Sequence, residues 1–169
     1  EPVHEFLARE VLQPFGMDHS SFVWDDLDGD FATPHDELGN LMAALPEEVH
    51  VLLDEALVHF QDAEPLDACL RLVDAFPQLL VVRTFSKIYG LSGLRAGYAI
   101  SSDAKLLAAI APVLGVNALS QAAVEHALRT GDAEIERRRG AVSRERERLL
   151  TGLRELGLDA GPSQGNFAW

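Results

Sequence analysis

Lysine is nearly missing from this chain: 169 residues hold only Lys87 and Lys105. Cysteine is rarer still. Cys69 stands alone, which excludes an internal disulfide and fits a reducing, cytoplasmic compartment. No apolar run approaches the length needed to span a bilayer, and no basic-then-apolar leader opens the sequence, so membrane insertion and export find no support. The six histidines (His4, His19, His35, His50, His59 and His126) lack metal-ligand spacing. A Gly-x-Ser-x-Gly elbow is absent. So is a dinucleotide fingerprint, because Gly90-Leu91-Ser92-Gly93 is too short and precedes a strand rather than a helix.

Positive charge is scarce in one half. Residues 1–82 carry two basic groups against eighteen acidic ones, while residues 83–169 carry twelve against nine, for a net charge of −13. A field this negative argues against non-specific nucleic-acid binding. The basic stretch Arg137-Arg138-Arg139…Arg144-Glu145-Arg146-Glu147-Arg148 is interleaved with glutamates, which reads as a solvated helix face laced with ion pairs. The acidic run Asp25-Asp26-Leu27-Asp28-Gly29-Asp30 lacks the spacing and terminal glutamate of an EF-hand and reads as a solvated turn.

What remains is the composition of an ordinary globular protein with alternating elements. Periodicity suggests a helix over 3–12 and irregular chain over 13–32. Thr33-Pro34 followed by Asp36-Glu37 marks a helix start, and Leu38, Leu41, Met42 and Leu45 carry that helix to Pro46. A strand at Val49–Leu53 leads into Asp54. A helix over 66–76 precedes the strand Leu79–Arg83, and a further strand is expected at 96–101. Helices follow at 103–112, 118–129 and 132–156. In the last of these, Ile135, Val142 and Leu149 recur every seven residues, with Leu153 and Leu156 extending the stripe. A coiled-coil seam would show that repeat; we read it instead as a helix laid across its own domain. Strands alternating with helices predict an α/β sheet whose ligands gather at the strand ends.

The most informative stretch follows the apolar run Leu79-Leu80-Val81-Val82: Arg83-Thr84-Phe85-Ser86-Lys87-Ile88-Tyr89-Gly90-Leu91-Ser92-Gly93-Leu94-Arg95-Ala96-Gly97-Tyr98. An amine at the end of a buried strand is costly unless it is paired, modified or deprotonated for use. Arg95, eight residues later, is suited to a bidentate grip on phosphate. A nucleophilic amine beside an anion site is what a lysine forming a Schiff base with pyridoxal 5′-phosphate requires. A solvated loop lysine is the plainer alternative.

Thr84-Phe85-Ser86-Lys87-x-x-Gly90-Leu91-x-Gly93-Leu94-Arg95-x-Gly97-Tyr98 resembles the cofactor-lysine segment of the fold type I aminotransferases, and most of all that of histidinol-phosphate aminotransferases. Val51-Leu52-Leu53-Asp54-Glu55-Ala56 resembles the family strand ending in the aspartate that pairs with the pyridine nitrogen. Ser163-Gln164-Gly165-Asn166-Phe167 resembles the opening of the family's C-terminal domain. The resemblance spans Thr33 to Trp169. It implies an incomplete fold type I large domain: a mixed, mostly parallel sheet flanked by helices, followed by the start of the small domain. It divides the chain into an N-terminal segment (1–32), a cofactor-binding portion (33–130) and a linking helix with the start of the small domain (131–169).

By the same resemblance, Lys87 holds the cofactor aldehyde and shuttles a proton, and Asp54 keeps the ring nitrogen protonated. Thr84, Ser86 and Arg95 bind the phosphate, and Gly90 and Gly93 permit a tight backbone path. Read from the residues alone, the alternatives are that Asp54 caps a helix or joins a salt bridge and that the hydroxyls satisfy local backbone. Glu55, its neighbour, should point away from Asp54. Tyr89 and Tyr98 read as packing residues. The implied reaction moves an amino group between histidinol phosphate and 2-oxoglutarate or glutamate, in a homodimer, with small-molecule partners only. Aromatic aminotransferase, threonine-phosphate decarboxylase and a non-catalytic remnant of the fold are the rivals.

Four features depart from the family pattern. Leu57 stands where many members carry a tyrosine. Phe31-Ala32-Thr33-Pro34 replaces an Asn-Pro-x-x-Pro-Thr-Gly turn. No upstream ring-stacking segment is recognisable, and the arginine for the substrate carboxylate would lie beyond Trp169. With no initiator Met and a final strand expected to begin at Asn166, we expect a fragment. Such a piece should bind cofactor weakly and show no measurable transamination by itself.

Overall fold

The computed structural model describes residues 35–111, 115–158 and 160–168. The expectations for 3–12 and 13–32, and the Thr33-Pro34 cap, lie outside them. The elements in order are α1 (His35–Ala44), β1 (Val51–Asp54), β2 (Leu79–Thr84), β3 (Gly97–Ile100), α2 (Ala104–Ile110), α3 (Ala118–Thr130) and α4 (Asp132–Glu155). Two helices start on side-chain caps: Asp103 accepts from the Lys105 amide at 2.7 Å, and Asn117 accepts from that of Ser120 at 2.9 Å. Among the described residues no helix is long and apolar enough to cross a membrane.

The three strands form one mixed sheet in the order β1-β2-β3. β1 runs parallel to β2, with Leu53 opposite Val81 and Asp54 opposite Val82. β3 is antiparallel to β2, with Arg83 opposite Tyr98 and Thr84 opposite Gly97. Successive side chains take opposite faces, so this register sorts the residues. Val51, Leu53, Leu79, Val81 and Ile100 share one face, where they meet Leu38 and Met42 of α1 in the core. Asp54 and Thr84 belong to the other face. Gly97 is needed between the strands, because a Cβ there would lie 2.7 Å from the Arg83 carbonyl oxygen.

Two expected elements come out differently. The segment 66–76 is a run of tight turns around a 3₁₀ stretch, Cys69–Leu72, rather than a helix. Cys69, Leu72, Val73 and Phe76 keep the i, i+3, i+4, i+7 spacing of a helix stripe and reach the core from tight turns all the same. Pro77 then drives Phe76 away from helical backbone. Nor do residues 166–168 form a strand. Just before them, the carbonyls of Gln164 and Gly165 accept from Arg146 Nη1 at 3.0 and 3.1 Å instead of from a neighbouring strand.

Arg146 also corrects the reading of the basic helix. Ion pairs within α4 do form, Arg137 and Arg138 with Glu134 and Arg148 with Glu145. Three arginines nevertheless turn inward. Arg138 Nη1 donates to the Ile88 carbonyl at 2.8 Å, and Arg139 Nη2 to that of Gln61 at 2.9 Å. Arg146, only 6% exposed, also donates to the Phe60 carbonyl at 3.1 Å. Leu150 is buried beside it, whereas Leu149 and Leu156 of the seven-residue stripe are exposed. The helix lies across its own domain, on a face led by arginine rather than leucine.

On the core face above the sheet, Glu55 and Arg83 form a buried ion pair. Arg83 Nε donates to Glu55 Oε2 at 2.7 Å, both side chains are 8% exposed, and the Leu66 carbonyl takes another guanidinium hydrogen. This pair ties the end of β1 to the end of β2. Burial, reinforced by Glu55, pushes the nearby Cys69 thiol up to about 12, which leaves it unreactive near neutrality. Beside the pair, Tyr89 packs between His59 and Phe85 at ring separations of 5.5 and 5.0 Å, and Phe85 meets Tyr98 at 5.4 Å. Both tyrosines make ring contacts, Tyr89 half-buried and Tyr98 more exposed.

Glu55→Gln should destabilise the fold by about 3 kcal/mol, because it strands a buried guanidinium. Glu134→Gln, on the solvated helix face, should leave the denaturant midpoint nearly unchanged. Urea titration of both variants checks this. His59 supplies a pH test. Burial, then the charges of Arg83 and Arg139, hold its imidazole below the ordinary 6.5. Between the two values the unfolded chain binds a proton that the folded chain refuses. His59 therefore favours folding fully above pH 6.5, and that contribution falls as pH drops below it. His59→Phe should flatten the stability profile beneath that pH relative to wild type.

Candidate active site

The ends of β1 and β2 open onto a cleft of about 390 Å³, lined by Asp54, Ala56, Val82, Arg83, Thr84, Ser86, Lys87, Ser92 and Arg95. All five residues singled out from the sequence are therefore brought to one cavity. The alternation along β1 explains how adjacent carboxylates separate. Asp54 ends the strand on the cleft face, whereas Glu55, one residue on, turns to Arg83. Asp54 Oδ1 accepts from the Ala56 amide at 2.8 Å, which orients the carboxylate, and no cation pairs with it among the described residues.

The lysine loop is built by local bonds. The Thr84 hydroxyl accepts from the Ser86 amide at 3.0 Å and reaches the Ala96 carbonyl at 3.4 Å. The Leu91 amide donates to Phe85 and that of Gly90 to Lys87, both at 3.0 Å. Ile88, 1% exposed, pins the loop from within, while Lys87 is exposed to the cleft. Gly90 has φ 71°, the left-handed backbone its residue type favours. Gly93, expected to serve likewise, has ordinary backbone and open space around it, unlike Gly97, which is crowded by the Arg83 carbonyl.

The structure distinguishes the two hydroxyls. That of Thr84 is engaged in forming the turn, while the Ser86 hydroxyl has no bonding partner among the described residues. Arg95 closes the opposite side. It ends the 3₁₀ turn Ser92–Leu94 with φ 50°, the one non-glycine residue in left-handed backbone among those described. Such a conformation costs of order 1 kcal/mol. Its Nη1 donates to the Ser92 carbonyl at 3.0 Å, and no carboxylate pairs with it among the described residues. The turn is anchored from behind by the fully buried Ser120 of α3, whose hydroxyl donates to the Leu94 carbonyl at 2.7 Å.

The arrangement joins an amine and a guanidinium, neither matched by a carboxylate among the described residues, to an oriented carboxylate and a spare hydroxyl. It can hold an anion at one end and attack an electrophile at the other. Leu57 stands outside this cleft, on an adjacent cavity of about 170 Å³ with Leu53, Val58 and Gln164. No tyrosine or asparagine lines the cleft among the described residues. The segment Phe31–Pro34 lies outside them. No group of three or more His, Cys, Asp or Glu residues is placed to hold a metal among the described residues. Sequence reasoning missed the inward arginines and Ser120, whose partners are distant in the chain.

Comparison with known proteins gives a consistent picture. An aromatic amino acid aminotransferase of Mycobacterium sp. (strain JLS) is 38% identical over 135 residues, which cover 78% of this chain and 37% of that protein. Histidinol-phosphate aminotransferase 1 of Nitrosococcus oceani is 40% identical over 134 residues, covering 78% and 36%. The chain thus spans little more than a third of these relatives. The crystal structure of histidinol-phosphate aminotransferase from Sinorhizobium meliloti in complex with pyridoxal-5′-phosphate superposes with a TM-score of 0.69. It shares 31% identity and covers 80% of this chain and 37% of its own. The expected fold, part of a fold type I large domain, is the one found. The family model for aminotransferase class I and II matches residues 28–169, and the chain belongs to that family.

Proposed function

We propose that this chain carries the cofactor-lysine portion of an aminotransferase that uses pyridoxal 5′-phosphate to move an amino group between histidinol phosphate and 2-oxoglutarate or glutamate. One observation carries the reading. The Lys87 amine, unpaired among the described residues, shares a single cleft with Asp54, Ser86 and Arg95. The donor set fits the group: an amine for an aldehyde, a carboxylate for a protonated ring nitrogen, and a guanidinium with a hydroxyl for a phosphate.

When bound, the cofactor supplies an electrophilic aldehyde and a ring that accepts electron density. Lys87 offers the amine that attaches it and, once released, a base that takes up and returns a proton within the cleft. Asp54 keeps the ring nitrogen protonated, its plane set by the Ala56 amide. Arg95 and Ser86 anchor the phosphate, with Thr84 shaping the turn that presents Ser86. In this reading residues 33–130 form the cofactor-binding portion and 131–169 the linking helix with the start of a second domain. The working protein is a cytoplasmic homodimer acting on small molecules. The charge of −13 supports leaving nucleic acid out.

A second substrate reading, transfer from aromatic amino acids, is supported by relatives of that name at 38–41% identity. Comparing the rates of the full-length protein with histidinol phosphate and with phenylalanine separates the two.

Borohydride reduction with pyridoxal 5′-phosphate, followed by peptide mapping, should place the adduct on Lys87, and Lys87→Ala should abolish it. An adduct confined to Lys105 would overturn the assignment. At the phosphate end, Arg95→Ala should weaken cofactor binding about tenfold or more, and Arg95→Lys should restore only part, because charge-assisted bonds to the planar fork are lost. Arg95→Gly should also lose affinity while leaving the fold as stable or up to about 1 kcal/mol more so, since glycine relieves the left-handed backbone. Melting curves run beside binding titrations check both halves.

A further inference from the structure

We propose that Arg138, on the long helix α4, is a positioning residue for Lys87, acting through the backbone of the lysine loop; this rests on the role given to Lys87 above. Arg138 Nη1 donates to the Ile88 carbonyl at 2.8 Å, on the residue that follows Lys87. Its Nε is held by Glu134 Oε1 at 2.7 Å. The guanidinium is thus fixed on both sides, and its charge is met by a carboxylate held down at about 2 by Arg137 and Arg138. Its service to the loop is therefore geometric: a directed donor and a wall.

Gly90 supplies a second, independent observation. A Cβ built there would stand 2.5 Å from Arg138 Nη1, 3.2 Å from Cζ and 3.3 Å from Nη2. The guanidinium, Nη1 foremost, fills the space a side chain would occupy. Lys87 is therefore flanked by two constraints. The Gly90 amide closes onto the Lys87 carbonyl at 3.0 Å, and Arg138 holds the next carbonyl in line. With Ile88 buried, a shift of its carbonyl works against the bond to α4. Arg137, the neighbouring arginine on Glu134, makes no hydrogen bond to this loop among the described residues and provides an internal control.

Two measurements test the proposal. In the cofactor-free protein, Arg138→Ala should speed amide exchange at Gly90 and Leu91 about fivefold or more, Arg138→Lys should do so less, and Arg137→Ala not at all. With pyridoxal 5′-phosphate and borohydride, the yield at Lys87 relative to Lys105 should fall in Arg138→Ala and recover in part in Arg138→Lys. Unchanged exchange in Arg138→Ala would overturn the proposal. Gly90→Ala approaches the same contact from the loop, because its methyl group must push the guanidinium aside. Its effect on the Lys87 yield should be smaller when Arg138 is already alanine, and strictly additive effects would also overturn the proposal. A wild-type protein with no preference for Lys87 would defeat the cofactor reading, while the exchange data would still decide whether Arg138 holds the loop.

Discussion

The site depends on the buried pair between Glu55 and Arg83. Each residue adjoins one that faces the cleft: Glu55 follows Asp54, and Arg83 precedes Thr84. Two charges removed from water tolerate little displacement, since losing the contact leaves either one unpaired in a low-dielectric setting. The pair therefore fixes the relative height of β1 and β2 at the edge where the site opens. Strand alternation does the rest, turning Asp54 to the cleft as surely as it turns Glu55 away from it. What such a pair contributes is definition of register more than net stability.

From those strand ends the constraint passes outward through backbone carbonyls. Ser120 holds Leu94 behind Arg95, Arg138 holds Ile88 behind Lys87, and Arg146 gathers Phe60, Gln164 and Gly165 around the long helix. In each case a side chain from a late helix satisfies backbone carbonyls outside the sheet, before the helix at Phe60, Ile88 and Leu94 and after it at Gln164 and Gly165. Loops that carry reactive groups are often mobile. Here the amine and the guanidinium sit on turns whose backbone is bonded from below, leaving their side chains exposed to the cleft.

How much of this was legible in the sequence follows from the range of each interaction. Strands β1 and β2 were visible as apolar runs, and the cleft residues because they cluster in a short motif directly after a strand. Local chemistry was also readable in Gly90, whose left-handed backbone suits a turn. The segment 66–76 differs from the expected helix although Cys69, Leu72, Val73 and Phe76 keep helix spacing, because that spacing suits short 3₁₀ turns over the same core as well. Gly93 and Gly97 look alike on paper; only the approach of the Arg83 carbonyl tells them apart. The inward arginines were the least accessible. Interleaved glutamates satisfy the pattern of a solvated face, and the carbonyls that Arg138, Arg139 and Arg146 reach on the strand-end loops lie 50, 78 and 86 residues away.

The central claim is that one cleft orients one cofactor by three separated contacts. A crystal structure of the protein with pyridoxal 5′-phosphate tests it most directly. The account predicts the phosphate against Arg95 and Ser86, the ring nitrogen facing Asp54, and continuous density from the cofactor to Lys87 Nζ. A cofactor seated instead in the neighbouring cavity beside Leu57 and Gln164, or one whose phosphate faces Asp54, would contradict it.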